Sequence, residues 1–452
     1  MLRISQLSFL LAAAASLLST ASGESFLVQI KLNSNSLGRR QANPITAQGV
    51  LESHLKDVAK IAQGGEASSN SNFRITGQFD GLGDTFVIGN FVGYSAEFSP
   101  SLAESVKALP GVSRVLPNSQ VTTHQTGCIA RPVDPDPLSG EWGLGRISHF
   151  QNTPDPYMAT HNTYRFHPNS QCSNTTIYVL DSGISRNHPE FTGRTIRWGY
   201  QAVSTWAQDD TCGHGTHIAG IAAGRNYGVQ SSSQLVAIKA LDGPPGDRCT
   251  GSWSGVISGL IWAAEDARTR GILARSVLLM SLGGSWNQIV NDAVDNVVDA
   301  GLTVVVSAGN SAEDACLGSP ASAKKVITVG NVNLNDEVSW SSNTGCCVDI
   351  FAPGEEIASA HLNNGYARLS GTSMAAPFVA GMVLYNKCMH GYTTPVQDKV
   401  AVTTKENVIR GKITQGDSIG LCTEDPVNPS NGECEPGVGG GCAPNRILYN
   451  RC

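Results

Sequence analysis

A carboxylate, an imidazole and a hydroxyl stand in this sequence in settings that let them act together on one acyl group. Asp181 follows the apolar run Ile177–Leu180 and precedes Ser182-Gly183, the layout of a strand that presents a carboxylate at its carboxyl end. His214 lies in Gly213-His214-Gly215-Thr216-His217, just before the small-residue stretch Ile218–Gly224. Ser373 lies in Ser370-Gly371-Thr372-Ser373-Met374-Ala375-Ala376-Pro377. A hydroxyl is a weak nucleophile until a base takes its proton, and an imidazole does this best when a carboxylate fixes its tautomer and offsets its charge. The set predicts nucleophilic acyl transfer.

Three competing readings fail on their own requirements. His214 and His217 are spaced as metal ligands can be, but no HExxH or further ligand series accompanies them, so His217 reads as a packed helix residue. Gly416-Asp417-Ser418-Ile419-Gly420 matches GxSxG, yet that chemistry places a His after the Ser and none follows His390. Asp181-Ser182-Gly183 alone could belong to an aspartic protease, which needs a second carboxylate sharing the proton, and no second DSG or DTG exists.

The elements that must position these residues follow from periodicity. Ile177–Leu180, Leu235–Leu241, Ser276–Leu282, Thr303–Ser307 and Val326–Val329 are nearly all apolar, as strands buried on both faces are. Helical patterns, including Val256–Arg270 and Asn287–Ala300, alternate with them. The expectation is an α/β domain, a mostly parallel sheet flanked by helices on both faces, with its site at the carboxyl ends of the strands.

A different domain precedes it. None of the 12 cysteines lies before Cys128, a composition shift that puts a boundary near residues 120–140. Strand-like runs at Phe26–Leu32, Phe73–Phe79, Phe86–Phe98 and Val112–Leu116 enclose two helices. One carries Leu51, Leu55, Val58 and Ile61 on one face; the other starts at Ser99-Pro100. The order βαββαβ is that of a small α+β ferredoxin-like domain. Gln120–Gly140, with three prolines, reads as an extended linker.

Residues 1–23, with Arg3, the apolar run Leu7–Leu18 and small residues to Gly23, have the layout of a signal peptide. Export to the extracellular space is therefore expected, with no membrane anchor because no later stretch is long and apolar enough. An even cysteine count then suggests disulfides, and Asn174-Thr175-Thr176 is a glycosylation sequon at Asn174. The formal charge of −6 without a basic run gives no reason to expect nucleic acid or an anionic membrane as partner.

Six motifs in one order carry a resemblance. They are Trp142-Gly143-Leu144-Gly145-Arg146-Ile147-Ser148, DSG at Asp181, HGTHIAG at His214, SLGG at Ser281, SAGN at Ser307 and SGTSMAAP at Ser370. Together the sequence resembles the subtilisin-like serine peptidases, most closely their proteinase K branch, whose triad runs Asp, His, Ser. The resemblance implies a secreted serine endopeptidase acting on protein and peptide substrates, with Ser373 as nucleophile, His214 as base and Asp181 as its orienter. Asn310 and the Ser373 N–H would hold the oxyanion. Ser281, Leu282, Gly283 and Gly284 would pair with substrate backbone, and Ser307, Ala308 and Gly309 would line the pocket. Small apolar walls imply broad cutting after apolar or aromatic residues.

The resemblance further implies that residues 24–124 form an inhibitor I9-like prodomain, cut near Val121–Thr126 by the enzyme itself, and that residues 125–452 form the catalytic domain, expected as a monomer. It implies structural calcium at Asp349 with the carbonyls of Lys324 and Val326, and no catalytic cofactor. It also implies disulfides Cys212–Cys249 and Cys316–Cys347, leaving the other eight cysteines unpaired on paper. Residues 420–442, rich in Pro and Gly, read as an inserted cysteine-bearing loop. A catalytically silent binding or inhibitory protein with the same fold is the alternative, opposed by the intact Asp181, His214, Ser373 and Asn310.

Overall fold

The computed structural model describes residues 24–32, 47–64, 82–123, 142–148, 164, 172–194, 196–245, 248–403, 408–410 and 446–448. The chain divides into two compact units, the first ending at Asn118 and the second starting at Ser119, with Phe86–Phe91 grouped with the second.

In chain order the first elements are β1 (Glu24–Lys31), α1 (Ala47–Gly64), β2 (Leu82–Ile88), β3 (Phe91–Phe98), α2 (Pro100–Lys107) and β4 (Val112–Pro117). The strands form one sheet in the order β2-β3-β1-β4. On α1 the i, i+4, i+7 set Leu51, Leu55 and Val58 is buried, as its spacing predicts. Ser99 caps α2, its hydroxyl accepting from the Leu102 N–H, and Pro100 takes the first helical position, where its missing N–H costs nothing. The run Phe86–Phe98 is not one strand. Gly89, at φ +53°, and Asn90 turn it into the β2–β3 hairpin, a two-residue Gly-Asn signal hidden inside an apolar run. The run Phe73–Phe79 lies outside the described residues.

The second unit continues with β5 (Gln120–Thr123), α3 (Trp142–Ser148), β6 (Thr176–Asp181), β7 (Ile196–Gln201), α4 (His214–Ala223), β8 (Gln234–Lys239) and β9 (Thr250–Ser252). Then come α5 (Trp253–Thr269), β10 (Ser276–Met280), β11 (Leu282–Ser285), α6 (Gln288–Asp299), β12 (Thr303–Ser307), β13 (Gly318–Ser319), β14 (Ile327–Val332) and β15 (Ile350–Pro353). The last are β16 (Ile357–Ala360), β17 (Tyr366–Leu369), α7 (Thr372–His390), α8 (Pro395–Thr403), β18 (Val408–Arg410) and β19 (Arg446–Leu448).

Among the described residues nine strands make the main sheet, in the order β18-β19-β15-β14-β12-β10-β6-β8-β7. Its neighbours run parallel except the edge pair β18–β19. Alternation across the sheet explains the all-apolar strands. On β6, Ile177 and Val179 join the core with Ile218 and Ile221 of α4 and Phe378, Val379 and Met382 of α7. Tyr178 on the other face donates its hydroxyl to Asp266 of α5 at 2.7 Å. Helices therefore cover both faces, and the central strands β6, β10, β12 and β14 are buried on both. Arg146, in the Trp142–Ser148 motif, is itself buried and makes a bidentate pair with Asp336 at 2.6 and 2.9 Å.

Candidate active site

Asp181 is the last residue of β6 and His214 the first of α4. Asp181 Oδ1 accepts from the Ser182 N–H at 2.7 Å and faces His214 Nδ1 at 2.8 Å. A carboxylate acceptor puts the ring proton on Nδ1, so Nε2 keeps its lone pair for use as a base. That Nε2 is buried and has no partner.

A second carboxylate, not singled out in the sequence, holds this pair together. Asp210 Oδ1 accepts from the Cys212 and Gly213 N–H groups and the Ser182 hydroxyl, and Oδ2 from the Thr216 N–H and hydroxyl, at 2.6 to 3.0 Å. Ser182 in turn accepts from the Gly215 N–H at 2.9 Å. The strand end bearing Asp181 and the helix start bearing His214 thus share one buried anchor. Gly215 is required there, since a Cβ would stand 2.1 Å from the Gly183 carbonyl oxygen. Asp210 lies three residues before the N-cap Gly213, so no capping signal marked it in the sequence.

Ser373 is the second residue of α7, a helix of 19 residues. Its hydroxyl donates to the Ser281 carbonyl at 3.1 Å, and the Ser281 hydroxyl donates to the Ser373 carbonyl at 2.9 Å. The Ser373 hydroxyl therefore rests on Ser281 rather than on His214 Nε2.

Past the carboxyl end of β12, Asn310 turns its side chain onto the start of α7. Its Oδ1 accepts from the Thr372 N–H at 2.9 Å and the Thr372 hydroxyl at 3.0 Å, and its Nδ2 is buried without a partner. Asn343, also missed in the sequence, shapes this loop. It donates to the Ala308 carbonyl at 3.1 Å and accepts from the Ser311 and Glu313 N–H groups at 2.9 and 3.2 Å. Gly309 has φ +107°, and a Cβ on it would meet Asn343 Nδ2 at 2.4 Å.

Beside this loop lies a cavity of about 260 Å³ lined by Gly283, Gly284, Ala308, Gly309, Asn310 and Leu317, among others. Glu313 and Asp314 line it too, two carboxylates where small apolar walls were expected. Asp314 Oδ1 is engaged by the Cys316 N–H at 2.8 Å.

The first residues of the expected linker are instead a strand. β5 lies antiparallel between β11 and β9, with Thr122 opposite Gly283, Thr123 opposite Leu282 and Val121 opposite Gly251. A peptide segment thus occupies the strand position that Leu282–Gly284 offers on one side and Thr250–Ser252 on the other, and Leu282 directly follows Ser281, the hydrogen-bond partner of Ser373.

Cys212, two residues before His214, is disulfide-bonded to Cys249, just before β9, with 6.1 Å between Cα atoms. Cys316 is bonded to Cys347 with 5.3 Å between Cα atoms, and Cys346 Sγ lies 3.7 Å from Cys316 Sγ. Cys172 is bonded to Cys388 across a sequence separation of 216. Asn174 is exposed in a turn.

Of the oxygens expected to hold calcium, those of Asp349 and Val326 are otherwise engaged. Asp349 Oδ2 accepts from the Thr328 N–H at 2.9 Å, and Oδ1 pairs with the Lys399 ammonium at 2.8 Å. That ammonium also donates to the Val326 carbonyl at 2.6 Å. The arrangement does not fit a divalent cation.

The description "Subtilase family" fits residues 173–417, and "Peptidase inhibitor I9" fits residues 30–124. "Subtilisin-like protease 2" of Pseudogymnoascus destructans is 40% identical over 326 residues, covering 71% of this chain and 75% of that protein. "Subtilisin-like protease 3" of Arthroderma benhamiae is 38% identical over 338 residues, covering 75% and 78%. The crystal structure of a cold adapted subtilisin-like serine proteinase superimposes with a TM-score of 0.56 at 33% identity, covering 70% of this chain and 99% of the other.

Proposed function

We propose, proceeding from the fact that this chain belongs to the subtilase family of serine endopeptidases, a division of labour among its site residues and a route to its mature form. Ser373 Oγ attacks the substrate carbonyl carbon while its proton passes to His214 Nε2, and Asp181 holds the resulting imidazolium. Asn310 Nδ2 and the Ser373 N–H donate to the oxyanion of the tetrahedral intermediate. Its collapse breaks the C–N bond, and the imidazolium gives its proton to the leaving amine. Water then repeats the sequence on the acyl-enzyme.

The observation that carries this reading is Asn310. A buried amide N–H without an acceptor costs about 1–3 kcal/mol, and here Thr372 fixes the opposite oxygen so that the donor keeps its direction. Such a donor is preorganised for charge that develops only during reaction.

The I9 domain supports a zymogen inhibited by its own prodomain. The pairing of β5 with β9 and β11 supports self-cleavage just beyond it, because the segment lies as a substrate backbone would. Ala308 and Leu317 in the cavity wall support a pocket that takes apolar or aromatic side chains, with the Glu313 and Asp314 carboxylates forming another part of its lining. Secretion of a monomer glycosylated at Asn174 completes the proposal. Expression of Ser373→Ala in a protease-free host tests it. The variant should remain full length after signal removal while the unaltered chain matures, and maturation of the variant would contradict self-cleavage.

A further inference from the structure

At the amino end of the main sheet, opposite the catalytic rim, Lys399 of α8 reaches two strands at once. Its ammonium meets Val326 O, just before β14, at 2.6 Å and Asp349 Oδ1, just before β15, at 2.8 Å. These two oxygens belong to the set that the family resemblance assigns to structural calcium. We propose that Lys399 is a built-in cation at this position, so that the link between α8 and the two strands needs no divalent ion.

Three observations carry the proposal. Calcium takes six to eight oxygens at about 2.3–2.6 Å, whereas both Asp349 oxygens here are engaged, one by Lys399 and one by the Thr328 N–H. The adjoining cavity, about 280 Å³, is lined by one carboxylate, Asp349, and two lysines, Lys324 and Lys399. A dication entering it meets more positive than negative charge. Finally, the pair is partly sheltered, with Lys399 29% and Asp349 21% exposed, and the ammonium gains a carbonyl acceptor that an exposed surface pair lacks. An ammonium brings one charge and three N–H donors on a tether, which suits one carboxylate and one carbonyl.

Thermal unfolding of inhibitor-blocked enzyme, in excess calcium and in chelator, tests this in four proteins: unaltered, Asp349→Asn, Lys399→Met and the double variant. The unaltered enzyme and Asp349→Asn should show the same calcium response, whatever other sites contribute to it. Lys399→Met should gain an extra rise of roughly 5 °C in Tm at saturating calcium, because its oxygens are now open, and the double variant should lose that gain. A calcium response that Asp349→Asn removes from the otherwise unaltered chain would overturn the proposal, as would Lys399→Met without extra response. Should either variant fail to fold, reductive methylation of the unaltered, blocked enzyme reads the same point. Lys399 should stay protected in millimolar calcium, and a tenfold or greater acceleration of its methylation by calcium would overturn the proposal.

Discussion

Ser281 and Ser373 hold each other by two hydrogen bonds in opposite directions, hydroxyl to carbonyl at 2.9 and 3.1 Å. The cause is Pro377. Four residues after Ser373 in α7, it has no N–H to give the Ser373 carbonyl, and Ser281 supplies the missing donor from the end of β10. The start of α7 is thereby fixed to the strand end from which β11 departs.

Removing that donor should leave a buried carbonyl unsatisfied. Ser281→Ala is expected to lose about 1–3 kcal/mol of stability, seen as a lower Tm of the inhibitor-blocked enzyme. An unchanged Tm would mean that the Ser373 carbonyl finds another donor.

Asn310→Ala should lower kcat by roughly 10²–10³-fold, the loss known for removal of one such donor in a subtilisin, and leave KM nearly unchanged. Steady-state kinetics on a peptide amide separate the two. A large rise in KM at equal kcat would make Asn310 a substrate-binding residue instead.

Asp210→Asn is expected to reduce kcat by about 10- to 100-fold, because an amide placed at Oδ2 would set N–H against the Thr216 N–H and loosen the His214 turn. Asp210 touches no substrate in this account, so it acts through position. KM should hold, and an unchanged kcat would mean that Asp210 does not position His214.

These residues also show what the sequence could tell. Asp181, His214 and Ser373 were legible because each sits on a glycine-bearing turn at the end of a strand or the start of a helix, and the order of motifs is specific. The strands Ile177–Leu180 and Thr303–Ser307 were legible because burial on both faces leaves no alternation of polar and apolar residues in them. Asp210, Asn343, Thr372 and Lys399 were not, since a single polar residue in a loop or on a helix carries no period, and its partners are set only by folding. Lys399 meets Val326 over a sequence separation of 73. The expected linker at Gln120 hid a strand because β5 finds its pairing in β9 and β11, not in its own composition.

Acid should weaken the fold through His217. Burial, more than the neighbouring His361, pushes its pKa down from 6.5 to about 3. The unfolded chain therefore binds a proton below about pH 6.5 that the folded chain refuses, so stability is full above that pH and falls as pH drops toward 3. His361 and His188, also shifted down mainly by burial, act in the same direction. His217→Gln, whose amide can still reach the Ala367 carbonyl that His217 Nε2 meets at 3.0 Å, should flatten the slope of unfolding free energy between pH 3.5 and 6.5 by about one proton. An unchanged slope would place the titration elsewhere.

The most direct measurement is labelling of the mature enzyme with a sulfonyl fluoride, followed by mass mapping of the adduct. A hydroxyl reacts well only when a base activates it, so the account predicts a single stoichiometric adduct on Ser373, coincident with loss of peptide hydrolysis. Full inactivation with the adduct on another residue, or mature active enzyme that carries none on Ser373, would contradict it.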